Sequence, residues 1–267
     1  MGRLRSGAAL DIGRNPKRPT NQDRLAVFEP LAPQCPDHLY LVCDGMGGHL
    51  HGEIASGIAA EEIPRAYLEA RRGGTVEEAL RAAVEDAHQS IRTQSESSGL
   101  AGRMGTTAVI AVVAGDVLTV ANVGDSRAYL VRGGSIRQIS KDHTRAAEVK
   151  ELGLESELAS KGRSVLTRSL SAGREQVEPD LFVEQFRNGD ALILCSDGLW
   201  SCVPDAGILS VVEELSPGAA APKLVQMANR VGGPDNISVI VVRKGDLGAK
   251  RKEDDTGEFR ALSPGAP

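Results

Sequence analysis

The chain has 267 residues, 41% of them hydrophobic, and a formal net charge of −5. That length sustains a core without disulfide or metal staples, and the mildly acidic balance gives no long-range attraction to nucleic acid or anionic lipid. The opening MGRLRSGAAL has basic residues but no apolar run of signal-peptide length, and nothing approaches the roughly 20 apolar residues of a membrane span, so a soluble, cytoplasmic chain with no nucleic-acid or membrane partner is expected.

In chain order, strands are predicted at residues 25–28, 39–43, 107–113, 117–123, 128–131, 191–195 and 237–242, all short runs of β-branched and aliphatic residues. The short links Ala114, Gly115, Asp116 and Gly124, Asp125, Ser126, Arg127 fit antiparallel neighbours and leave no room for a crossover helix. Helical spacing marks 53–71 and 75–95 as one pair. A second pair, 205–215 and 219–231, is split by the breaker Ser216, Pro217, Gly218. Strand runs with segregated helix pairs point to an α+β fold rather than βαβ alternation. Residues 145–174 are polar and interrupt the sheet pattern. Residues 246–267 carry charge runs, Gly and Pro without periodicity and read as a disordered tail behind a single domain at 1–245. Of the four cysteines, Cys43 and Cys195 close apolar runs, Cys35 and Cys202 stand apart, and none makes a CxxC pair, which suits small buried thiols rather than a zinc site or disulfide framework.

The chemistry lies in where the aspartates fall. Asp44 follows LYLVC, Asp125 follows VLTVANVG, Asp197 follows ALILCS, and Asp235 just precedes the run that opens with Ile237. Any one of these alone reads as a turn former or helix cap. Together they put four carboxylates at the ends of apolar strands, where burial disfavours the ionised form unless cations compensate it. An all-oxygen donor set suits magnesium or manganese before zinc. The stretch Asp44, Gly45, Met46, Gly47, Gly48, His49 lets backbone pass close to an ion, with the Gly45 carbonyl as a possible ligand, and it lacks the GK[ST] of a phosphate loop. Upstream, Arg18 and Asp23 add a guanidinium suited to gripping phosphate and a further acid, although most arginines are solvated surface residues.

NQD at 21–23, DGMGGH at 44–49, MGTT at 104–107, VGDSRAYL at 123–130, KDHT at 141–144, LTRSL at 166–170, CSDGLW at 195–200 and GPDN at 233–236 resemble, in order, the signature of the type 2C metal-dependent protein phosphatases, in the bacterial form. The resemblance implies a four-layer α-β-β-α sandwich of two antiparallel sheets flanked by helix pairs. It implies protein serine/threonine phosphatase activity by direct attack of a metal-bridging water. Asp44 would bridge two Mn²⁺ or Mg²⁺ ions, Asp197 and Asp235 would hold the first, and Asp23 with the Gly45 carbonyl would serve the second, partly through water. Asp125 and Asp197 would frame a weaker third ion, and Arg18 would grip the substrate phosphate. The partners implied are phosphorylated proteins, Ser/Thr kinases among them, and the state a monomer.

Two departures limit that transfer. Met46 stands where many eukaryotic members have His, which leaves His49, His51 and His143 as candidates for protonating the leaving group, and Gln22 stands where many members have Glu. The segment 145–174 corresponds to the family's variable flap, and Arg163, Arg168 and Arg174 beside it form a candidate basic rim. The alternative reading is a catalytically silent phosphatase-like domain that binds phosphoproteins. It predicts the loss of strand-end aspartates, and all are present. An enzyme dedicated to one regulatory phosphoserine usually carries sensor or membrane segments, which favours a kinase-opposing type, and no EF-hand loop supports a calcium module.

Overall fold

The computed structural model describes residues 2–46, 51–99, 104–153 and 165–245. In chain order they form β1 (Leu4–Asp11), β2 (Asp23–Phe28), β3 (His38–Met46), α1 (His51–Arg71), α2 (Val76–Ser97), β4 (Gly105–Thr106), β5 (Ala108–Ala114), β6 (Val117–Val123), β7 (Arg127–Arg132) and β8 (Ser135–Gln138). There follow α3 (Arg145–Glu151), β9 (Leu170–Ser171), β10 (Asp180–Gln185), β11 (Ala191–Cys195), α4 (Asp197–Trp200), α5 (Asp205–Glu214), α6 (Pro217–Arg230) and β12 (Ile237–Lys244). The first sheet runs β10-β6-β5-β3, with β2 on the free edge of β3 and the short β4 and β9 extending it at one end. The second sheet has the order β1-β12-β11-β7-β8.

The two-residue period of a strand sorts the apolar runs into three cores. In β3, Leu39, Leu41 and Cys43 pack under α1 and α2, whereas Tyr40 and Val42 face the second sheet. In β11, Ala191, Ile193 and Cys195 meet α5 and α6, whereas Leu192 and Leu194 face the first sheet. Both faces of each central strand are covered, which is why LYLVC and ALILC are continuously apolar. The result is the α-β-β-α sandwich that the motif pattern implied.

The helices start where their local chemistry allows. Thr75 caps α2 in a complete capping box with Glu78, its side chain accepting from the Glu78 N–H while the Glu78 carboxylate takes the Thr75 N–H at 2.8 Å. The predicted breaker at 216–218 instead begins α6, with Pro217 in its first turn, where a missing N–H costs nothing.

One expectation is overturned. The link from β6 to β7 is not a hairpin: β6 pairs with β5 and β10, β7 with β8 and β11, so the chain passes from one sheet to the other at Gly124. Gly124 has φ of 107°, and a Cβ there would lie 2.6 Å from Thr107 Cγ2, so only glycine makes this crossing without strain. By contrast β5 and β6 do form the predicted hairpin, through Gly115. The strand β1, absent from the predicted set because RSGAALD is small and polar, pairs with β12 along its whole length. The predicted tail at 246–267 and residues 154–164 of the flap lie outside the described residues.

Candidate active site

The aspartates converge at one end of the gap between the sheets. Asp44 keeps the face of Tyr40 and Val42, and Asp23 keeps the face of Leu25 and Val27, so both side chains enter the gap from the first sheet, directly opposite each other in the β2–β3 register. Asp44 is therefore a strand residue, not the first residue after one. Its backbone is doubly fixed: its N–H donates to Thr107 Oγ1 at 3.0 Å and its carbonyl accepts the Thr107 N–H at 2.9 Å. Thr107 Oγ1 also meets Ser126 Oγ at 2.7 Å, which ties Asp44 to the crossing that delivers Asp125. From the second sheet, Asp197 opens α4 and Asp235 stands just before β12. Trp200 Nε1 donates to the Asp125 carbonyl at 2.9 Å, and Arg127, bidentate to Asp142, stacks 3.6 Å from the Trp200 ring centroid.

These residues line a cleft of about 710 Å³, bounded by Asp44, Asp125, Asp197 and Asp235, by Arg18 and Lys17, and by Met46, Val165 and Leu166. Asp23 is fully buried beneath its floor. Burial first, with repulsion from neighbouring carboxylates added, raises Asp23 and Asp125 to about 7, Asp235 to about 6 and Asp44 well above the ordinary carboxylate range, two serine hydroxyls opposing the rise at Asp23. Asp197 is raised chiefly by burial, with a hydrogen bond from Asp44 and the charge of Arg18 opposing. Gly45 is pressed between two chain segments, since a Cβ would lie 2.1 Å from the Gly52 carbonyl oxygen near the start of α1.

Residues 18–152 match the protein phosphatase 2C family. The chain belongs to that family. It is 35% identical to the serine/threonine phosphatase stp of Listeria welshimeri over 84% of this chain and 90% of that protein. The crystal structure of the Mycobacterium tuberculosis serine/threonine phosphatase PstP superposes with a TM-score of 0.79 at 33% identity, covering 91% of this chain and 99% of that one. A crystal structure of the PstP catalytic domain in complex with two manganese ions gives 0.76 at 34% identity over 91% and 99% of the two chains.

The cleft of this phosphatase-family member fits a hard cation. Among the described residues, Oδ1 of Asp23 and Oδ1 of Asp197 are buried without a hydrogen-bond partner, and the donor set is all oxygen. Among the described residues no three His, Cys, Asp or Glu side chains are gathered as a finished cage. Asp235 Oδ2 instead takes Arg18 Nη2 at 2.7 Å, and Asp23 Oδ2 takes two serine hydroxyls.

Of the histidines, His143 has no place at the reacting end. It is buried, its Nδ1 accepts the Gly124 N–H at 3.1 Å, its Nε2 faces Asp180 Oδ2 at 3.1 Å, and burial lowers its pKa. A ring whose Nδ1 accepts is a neutral strut carrying its proton on Nε2. His51 begins α1, and His49 lies outside the described residues. The basic rim is largely committed: Arg168 pairs with Asp180 at 2.6 Å and Arg174 donates to the Thr167 carbonyl, while Arg163 lies outside the described residues. The prediction missed Ser196, Ser238 and Asn236. Asn236 accepts the Gln22 N–H at 2.9 Å and donates to the Ile12 carbonyl at 2.9 Å, fastening the segment that carries Arg18. Strand parity held a signal for the serines, since Ser196 extends the face of Leu192 and Leu194, and Ser238 shares the face of Ile240 and Val242.

Proposed function

We propose that the chain hydrolyses phosphoserine and phosphothreonine in proteins with two Mn²⁺ or Mg²⁺ ions, which Asp44, Asp197 and Asp235 together with Asp23 and the Gly45 carbonyl would hold. Asp125 and Asp197 would hold a weaker third ion. The observation that carries this reading is the meeting of five raised aspartates, two with buried unpartnered oxygens, at a single cleft. Bound there, the cations supply Lewis-acid charge to the phosphoryl oxygens and lower the pKa of the attacking water.

The chain's own residues bind and orient. Arg18 uses Nη2 on Asp235 and is 39% exposed, and its planar fork has further donors for phosphate oxygens. Lys17 adds positive charge on the same wall. Met46, Val165 and Leu166 give an apolar wall for the residues flanking the phosphorylated one. In this reading residues 1–245 act as one domain, as a cytoplasmic monomer that opposes Ser/Thr kinases, and no described helix is long and apolar enough to cross a membrane.

The test is hydrolysis of a phosphothreonine peptide and of para-nitrophenyl phosphate with manganese, magnesium, calcium or EDTA, for the wild type and Asp197→Ala. Turnover that requires manganese or magnesium and disappears in the variant is the expected result. Metal-independent turnover, or none in a folded protein, would replace this reading with that of a silent binding domain.

A further inference from the structure

Beneath the cleft, one oxygen of Asp23 is held by two hydroxyls from the opposite sheet. Ser196 Oγ accepts the Ser238 N–H at 3.0 Å, which turns its own hydrogen toward Asp23 Oδ2 at 2.8 Å. Ser238 Oγ donates to the same oxygen at 2.6 Å. All three residues are fully buried, and Asp23 Oδ1 has no hydrogen-bond partner among the described residues. Two donors on one oxygen leave the other uncommitted, in a place where a merely structural aspartate has both oxygens satisfied. Asp23 rises from β2, beside Asp44. Ser196 follows β11 and directly precedes Asp197, and Ser238 lies in β12, which Asp235 precedes. The contact therefore joins the two halves of the carboxylate cluster.

We propose that Ser196 and Ser238 are positioning residues that turn Asp23 so that Oδ1 serves the cation site, directly or through water, and that hold the carboxylates of the two sheets at a fixed spacing. This rests on the cation reading of the cleft. Outer partners that orient a ligand contribute about 10–100-fold to metal affinity, so the effect belongs in binding as well as in turnover.

The experiment is calorimetric titration of the whole chain with Mn²⁺, comparing wild type, Ser238→Thr, Ser238→Val and Ser196→Ala, each also in an Asp23→Ala background. Thr and Val have the same shape and differ in the hydroxyl, so folding defects cancel between them, and Ser196→Ala removes only an oxygen. Ser238→Thr should bind Mn²⁺ as wild type does. Ser238→Val and Ser196→Ala should weaken one site by about 10–100-fold, and neither should matter once Asp23 is gone. If Val binds as Thr does, or if the loss is equally large without Asp23, the serines act only on the fold and the inference fails. A wild-type chain that binds no Mn²⁺ at all would instead sink the cation reading beneath it.

Discussion

Three strands carry an aspartate at each end, and the two ends of the sandwich treat them in opposite ways. At the far end Asp37, just before β3, takes Arg71 Nε at 2.8 Å and the Tyr67 hydroxyl at 2.7 Å. Asp190, before β11, is paired with Arg132 at 2.7 Å, and Asp116, before β6, with the buried Lys244 at 2.6 Å. At the cleft end of the same strands stand Asp44, Asp197 and Asp125, which face other carboxylates. An aspartate at a strand end is therefore not itself a sign of chemistry. What distinguishes the cleft is that, among the described residues, Asp44, Asp125 and Asp197 have no cation paired to them, Arg18 being engaged by Asp235, whereas each far-end acid has a cation of its own.

The strongest way to break that comparison is to neutralise one aspartate at each end of β3. Asp44→Asn should lower kcat on a phosphothreonine peptide by on the order of 10³-fold, several kcal/mol of transition-state stabilisation, and should raise the metal-free melting temperature by removing a buried carboxyl whose ionised form burial disfavours. Asp37→Asn should do the reverse. It leaves turnover per folded molecule intact and costs about 2 kcal/mol, or roughly 5 °C in melting temperature, by weakening the hydrogen bonds of Tyr67 and Arg71. If both variants only destabilise, the two ends are alike and the contrast is wrong.

Titration sharpens it further. Folded Asp23 and Asp125 titrate at about 7 and Asp235 at about 6, all above the ordinary 3.8, so the folded protein binds more protons than the unfolded chain between those limits. Their stabilising contribution is complete below about pH 4 and is lost as the pH rises through 6 to 7. Melting curves in EDTA should therefore show this loss over pH 4 to 7, and saturating Mn²⁺ should flatten it. A metal-free chain that gains stability from these groups over that window would overturn the assignment. The smallest effect is expected of His143→Gln, where Gln can keep one donor and one acceptor. Its kcat should change by less than about tenfold with the same pH profile, against the 10²–10⁴-fold carried by a general acid.

Much of the cleft was legible because the carboxylates end apolar runs, and a run of LYLVC or ALILC advertises a strand buried on both faces. Asp44, Asp125, Asp197 and Asp235 all reach the cleft, and Asp23 lies beneath its floor. The crossing at Gly124 was not legible: a short polar link between two apolar strands reads the same whether the second strand pairs with the first or joins another sheet, and tertiary packing decides. Nor did spacing show that Arg18 holds Asp235, a contact between the two ends of the chain. The serines were readable in principle, since counting by twos from Leu192 and Ile240 lands on both. A serine inside an apolar strand is simply easy to pass over as filler.

The pairing of β1 with β12 sets Leu4 beside Lys244 at the end of the sandwich remote from the cleft. The fold thus has adjacent entry and exit points, and sequence order and spatial layout are separable. A circular permutant that links these two points and opens at the exposed Gly133, Gly134 turn between β7 and β8 would keep every cleft carboxylate on its own strand. In such a chain the cluster would be assembled from a different order of synthesis, and the active end would be insulated from whatever is attached at either terminus.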